Sequence, residues 1–285
     1  MEEKKSHKLL NFFIIIVILL VLIVLYSKYL GTKGLIVKEY RVESNILTKN
    51  FSGIKVVHFS DLLYKSTVDK EDVEALVKKI NILKPDIVVF TGNLVTNTIK
   101  ISDNDTSFLI EELSKIDATL SKYAIYGEFD YNYSDYDKVM KESGFTILNN
   151  SYDTLYYNND EPIYVVGLPS SIKETIDIDK SFEFYKEEDR RFVIVLVHDG
   201  KTIKYLDESD YEVDMILGGY SLNGSIVIPI YGGLFKDSNS YKYSAPYYEK
   251  GITKIFISSG LGTKKYDYRF LNKPSFNLYR LKAQS

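Results

Sequence analysis

IKVVHFSDLLYKSTVDKEDVEALVKKINILKPDIVVFTG, residues Ile54–Gly92, decides the fold class. Ile54–Ser60 is a short apolar run rich in β-branched residues, the pattern of a strand buried on both faces. Asp69–Leu83 then sets Val73, Leu76, Val77, Ile80 and Leu83 at helical spacing, with acids at its start and lysines later. Pro85–Gly92 returns to a buried strand. Strand, helix and strand in that order require two parallel strands joined by a crossover, so the chain is α/β.

The alternation continues in both directions. Thr106–Leu120 reads as a second amphipathic helix, with Phe108, Leu109, Leu113, Ile116 and Leu120 on one side, and Tyr123–Gly127 as a third strand. Further apolar runs lie at Ile163–Gly167, Arg191–His198, Val213–Gly219, Ser225–Ile230, Thr253–Gly260 and Phe276–Lys282. Their closer spacing predicts a more antiparallel second sheet. Glu183–Arg191 reads as a solvated helix end or loop.

Upstream, Leu9–Tyr26 holds one polar residue, Asn11, before its terminal tyrosine. That run is long enough to cross a bilayer as a helix. No small-x-small cleavage site follows it, so it is expected to remain as a single-pass anchor. Lys4, Lys5 and Lys8 precede the span; Lys28, Lys33, Lys38 and Arg41 follow it, and this near balance does not orient it. Gly31–Gly34 reads as a short flexible joint. The expected division is a tail at 1–8, a transmembrane helix at 9–30, a linker and first strand at 31–52, and one domain at 53–285.

Composition removes several chemistries. The 285 residues contain no cysteine, which excludes disulfides, thiol catalysis and thiolate-bound zinc. Only three histidines exist, His7, His58 and His198. A net charge of −3 with the charges well mixed leaves no footprint for nucleic acid.

In open α/β sheets, ligands gather beyond the carboxyl ends of the strands. Those tips carry Asp61 and Leu63; Asn93; Glu128, Phe129 and Asp130; His198 and Asp199; and the sequence GGYSLNGS with Tyr220 and Leu222. An aspartate after a strand is more often a turn residue or helix cap than a ligand. Five such tips in succession are harder to set aside. Other chemistries have little support. His198 and Asp199 are adjacent, no serine sits in a G-x-S-x-G elbow, and GLGTKK (Gly260–Lys265) matches phosphate loops poorly. A glycosidase pair of Asp61 with Glu128 or Asp130 has nothing else behind it.

The five tips, with the closing ISSGLGTKKYDYRFLNKPSFNLYRL, resemble the calcineurin-like metallophosphoesterase family, and most closely its membrane-anchored or exported bacterial branch. The resemblance covers almost everything from Leu35 onward. It implies a four-layer α/β/β/α sandwich of two mixed sheets, here preceded by one transmembrane helix. It also implies two adjacent divalent cations held by aspartates, an asparagine and histidines. Carried over by position, only Asp61 and His198 stand unaltered. Asn93 replaces the bridging aspartate and Glu128 the asparagine. Leu63, Tyr220 and Leu222 replace histidine ligands. Phe129 replaces the acid–base histidine, beside Asp130.

Leucine and phenylalanine have no lone pair to donate, so two cations are not expected. At most Asp61, Asn93, Glu128 and His198 would hold one weakly bound divalent cation, manganese or similar. The replacements are mutually compensating. Asn93 removes a charge from a carboxylate cluster, and Leu63, Phe129 and Leu222 fill vacated volume. The expectation is a catalytically inactive, membrane-tethered binding or scaffolding module, with the concave face at Leu63, Phe129, Tyr220 and Leu222 as its site. Its partner would be an unidentified protein or small molecule, and its domain would lie outside the cytoplasm. The alternative is a residual phosphoesterase using a single cation, with Asp61 assisting.

Overall fold

The computed structural model describes residues 2–158, 161–234 and 237–284, with side chains from His7 onward. Helix α1 (Glu2–Leu25) continues through one wider turn, Tyr26–Leu30. Met1, the first residue of the expected tail, lies outside the described residues; Glu2–Lys8 extends the helix. His7–Leu30 is long and apolar enough to cross a membrane, and none of it is buried by the rest of the chain in its apolar window.

Strand β1 (Ile36–Ser44) is followed by β2 (Lys55–Phe59), α2 (Lys70–Leu83) and β3 (Ile87–Phe90). Then come α3 (Asp103–Ser114), β4 (Ser121–Ala124), α4 (Tyr136–Glu142), β5 (Thr146–Ile147) and β6 (Ser151–Leu155). The chain continues with β7 (Ile163–Gly167), α5 (Ile178–Ser181), β8 (Val193–Leu196), α6 (Gly200–Asp207) and β9 (Met215–Gly218). A small hairpin, β10 (Val227–Ile228) and β11 (Gly232–Gly233), precedes β12 (Tyr247–Lys250), β13 (Thr253–Ile257) and β14 (Ser275–Ala283).

Two six-stranded sheets result, ordered β1-β14-β2-β3-β4-β5 and β12-β13-β9-β8-β7-β6. Successive side chains on a strand point to opposite faces. On β3, Ile87 and Val89 enter the core between the sheets, while Val88 and Phe90 meet the helices α2, α3 and α4. On β8, Ile194 and Leu196 face the inter-sheet core, while Val193 and Val195 join the α6 layer. The domain is therefore a four-layer α/β/β/α sandwich, and burial on both faces explains the unbroken apolar runs.

Helix starts follow local chemistry. Asp69 and Asp72 form a reciprocal capping box on α2, and Lys84, in the left-handed region before Pro85, ends it. Helix α3 has the same device at Ser102 and Asp105. It therefore starts before the expected Thr106 and closes at Ser114, where Lys115 N donates to Glu112 O. Ile116 and Leu120 follow the helix, and Leu120 N donates to Asp86 O, laying β4 beside β3.

Three expectations need correction. The second sheet is antiparallel only at its edges; β7, β8, β9 and β13 run parallel. α6 supplies the crossover between β8 and β9. The run Ser225–Ile230 joins neither sheet: Val227 and Ile228 pair in the small hairpin, Ile226 makes a single bridge to Phe270, and Pro229 has no N–H to extend the ladder. The expected flexible joint is clamped. Gly31 lies so close to Arg269 that an added Cβ would sit 1.8 Å from its carbonyl oxygen. Thr32 is buried, and Lys33 pairs with Asp69 at 2.9 Å and Asp72 at 2.7 Å.

Candidate functional site

Asp61, Asn93, Glu128 and His198 converge at the carboxyl ends of β2, β3, β4 and β8 although they lie far apart in sequence. Gly92 and Gly127 make that approach possible. A Cβ on Gly92, whose φ is 92°, would lie 2.2 Å from Gly127 N.

The Asn93 amide is the centre of the cluster. Its nitrogen donates to Asp61 Oδ1 at 3.0 Å and to Glu128 Oε2 at 3.1 Å. Its oxygen accepts from Phe129 N at 3.0 Å, which fixes the direction of the amide. Asp61 Oδ2 accepts from Ser60 Oγ at 2.8 Å and Tyr220 N at 2.9 Å. Asp130 sits behind the cluster and accepts from the backbone N–H groups of Asn93, Leu94 and Gly127. Burial pushes its carboxyl up to about 7 against those three donors. Asp130 thus ties two tips together.

His198 is wholly buried, with Thr91 O 2.5 Å from Nδ1 and Glu128 Oε2 2.5 Å from Nε2. Both neighbours are acceptors, so the ring is doubly protonated. Burial opposes that charge, but Glu128 outweighs it and raises His198 to about 9. Burial likewise pushes Glu128 up, and Lys264 and His198 together overcome it, holding Glu128 well below the usual carboxylate range.

These two shifts describe one interaction and are not added. The histidine contribution is fully present below its unfolded value near 6.5 and is lost as pH rises through about 9. The glutamate contribution is present above its ordinary value near 4.5 and is lost only in stronger acid. Between pH 6.5 and 9.5 the protein is expected to lose about 3 kcal/mol of stability. Denaturant melts across that range check this: Glu128→Gln should flatten the loss, and an unchanged slope would refute the pairing.

The sequence reading missed Lys264. Its Nζ lies 2.8 Å from Glu128 Oε1 and 3.9 Å from Asp61 Oδ1. The ammonium also sits 3.4 Å from the Tyr220 ring centroid and 5.7 Å from that of Phe129. The signal was the GLGTKK run, but a phosphate loop was the wrong question to ask of it. Arg269 stands in the closing stretch that carries part of the family resemblance. It is fully buried and donates to the carbonyls of Ser259, Gly262 and Asn272, binding the closing loop together.

Of the four positions expected on a concave face, Tyr220 and Leu222 line a cleft, and Leu63 and Phe129 do not. Leu63 is fully buried and Leu222 nearly so; Tyr220 covers the cluster and Phe129 is half-buried at its edge. That cleft, of about 430 Å³, is lined also by Ser221, Ile226, Lys264, Lys265 and Tyr268. The backbone at the tips has positive φ at Asp61 (48°), Leu63 (48°), Asn93 (62°), Tyr220 (63°), Leu222 (50°), Asn223 (50°) and Ser225 (46°). Each such residue costs roughly 1–2 kcal/mol. The strain is concentrated where the strand tips converge.

The family's divalent cations do not fit these residues as arranged. The Asn93 amide turns its donor end to both carboxylates, His198 has no free lone pair, and an ammonium already neutralises Glu128. Among the described residues, no group of three or more His, Asp or Glu side chains is placed to hold a metal ion.

Comparison with known proteins agrees with the geometry. The sequence model of the calcineurin-like phosphoesterase family matches residues 54–219. The chain is 30% identical over 261 residues to YkuE of Bacillus subtilis (strain 168), an uncharacterized metallophosphoesterase, covering 90% of this chain and 89% of that one. It is 24% identical over 293 residues to LpxG of Chlamydia muridarum, a UDP-2,3-diacylglucosamine pyrophosphatase, covering 82% and 86%. A Danio rerio transmembrane protein with a metallophosphoesterase domain is 21% identical over 240 residues, covering 76% of this chain and 50% of its own length. With four layers, five converging strand tips and these relatives, the chain belongs to the calcineurin-like phosphoesterase family.

Proposed function

We propose that this chain is a membrane-anchored family member that has exchanged metal-dependent catalysis for binding. Its N-terminal helix crosses the membrane once, and its domain lies outside the cytoplasm, where the cleft beside Tyr220 takes an unidentified protein or small molecule. The observation that carries the reading is the Lys264 ammonium, 2.8 Å from Glu128 and 3.9 Å from Asp61. A fixed internal cation does the neutralising that a metal would otherwise do, and it cannot activate a water as a metal ion does. Membrane attachment is supported by the helix His7–Leu30 and by the transmembrane relative.

Metal analysis of the purified chain, with a manganese-supplemented phosphodiester assay, tests this. Expected are no stoichiometric metal, melting insensitive to chelator, and no turnover. One or two tightly held cations per chain, with turnover lost in Asp61→Ala, would restore the phosphoesterase reading.

A further inference from the structure

The clamp at the end of α1 has a consequence for the opposite side of the same loop. The backbone of Arg269 donates to Ser27 O at 2.9 Å, and the Phe270 ring meets Tyr26 edge-on at 6.0 Å between centroids. Phe270 also holds the small hairpin: its N–H donates to Ser225 O at 3.1 Å, and its carbonyl accepts from Val227 N at 2.9 Å. One residue therefore joins the end of the helix to the base of the hairpin β10–β11.

The hairpin tip is apolar and faces away from the domain. Ile228 is 40% exposed, Pro229 is exposed and Ile230 is completely so. Leu234 and Leu271, beside it, are 42% and 57% exposed. Clustered exposed apolar side chains mark an interaction surface, whereas single ones do not. Tyr29 and Lys28, both exposed at the end of α1, have the chemistry of the membrane–water boundary.

We propose that the hairpin Val227–Gly233 is a second membrane contact, its Ile228–Ile230 tip dipping into the lipid interface beside the helix. This rests on α1 spanning the bilayer. With two attachments the domain cannot swing on its anchor. The strand tips and the cleft lined by Ile226, Tyr220 and Lys264 then face the lipid surface. The occupant is the bilayer itself, because the hairpin is hydrogen-bonded to the residue that packs on the helix where it leaves the membrane.

The chain contains no tryptophan, so single tryptophans report without background. Full-length protein is reconstituted in phosphatidylcholine vesicles with and without brominated acyl chains. Three variants are compared: Ile230→Trp at the hairpin, Leu19→Trp within α1, and Tyr156→Trp. Tyr156 follows β6 at the end of the sheets opposite the tips, because Leu155 pairs with Ile163 at the start of β7. The proposal expects Ile230→Trp emission to be blue-shifted and quenched roughly twofold by brominated lipid, Leu19→Trp to be quenched more, and Tyr156→Trp not at all. Quenching at Leu19→Trp but not at Ile230→Trp overturns the hairpin contact and leaves the anchor standing. No quenching at Leu19→Trp overturns both. Ile230 is fully exposed, so its replacement disturbs no packing.

Discussion

Lys264→Met lowers the stability of the domain by about 3 kcal/mol, since removing one partner of a largely buried ion pair strands the other charge. Lys264 has little exposure, at 19%, and Glu128 still less, at 9%. After the substitution Glu128 keeps the Asn93 amide and His198 but loses its Oε1 partner. The measurement is a chemical melt of the parent and three variants: Lys264→Met, Glu128→Gln and the double substitution. The double variant should recover at least half the loss, because a neutral glutamine needs no counter-ion. A near-neutral Lys264→Met would mean that the ammonium is solvated rather than paired, and the argument for an internal cation would fail.

Asn93→Asp is expected to be at least as damaging. The substitution places a third carboxylate between Asp61 and Glu128. The two amide hydrogen bonds disappear and three carboxylates crowd one another. At pH 7.5 we expect a loss of about 4 kcal/mol, from like-charge repulsion and from forced proton uptake. The sign with pH follows directly. A carboxyl whose folded value is raised destabilises above its unfolded value near 3.9, and that penalty vanishes in acid, where both states are protonated. The deficit of Asn93→Asp relative to the parent should therefore shrink as pH falls toward 4. A deficit that stays constant with pH would assign the loss to packing rather than charge.

These two substitutions probe one design. A dimetal centre and this cluster solve the same electrostatic problem, which is how to keep Asp61 and the residue at position 128 close together in a buried place. Metals would do so with lone-pair donors all round. This chain does so with an amide, an imidazolium and an ammonium, with Leu63 and Leu222 buried beside them. Each fully buried leucine side chain stabilises by about 2 kcal/mol on removal from water, which offsets part of the strain in the left-handed tips.

Much of this was legible without coordinates. Continuous apolar runs mean strands covered on both faces, and helices spaced between them mean parallel crossovers; both rules are local and depend only on side-chain period. The apolar helix was readable for the same reason, since length and apolarity decide whether a helix can sit in lipid. The tips were readable in order, and four of the residues named there, Asp61, Asn93, Glu128 and His198, do converge. Less legible were the ends of α3, where the Ser102 cap lies outside the apolar period, and the direction of the inner strands of the second sheet, which strand spacing does not encode.

Side-chain period and composition are enough for the alternating strands and helices and for the helix that can enter a membrane. What surrounds Asp61 and Glu128 depends on the folded chain. Lys264 meets Glu128 across 136 residues, and Arg269 reaches back to fix the end of α1. Such contacts have no period and no motif. They arise because the folded sheets bring the last loop over the tips of the first strands, and a charge is paired by whatever group the chain's path carries within reach.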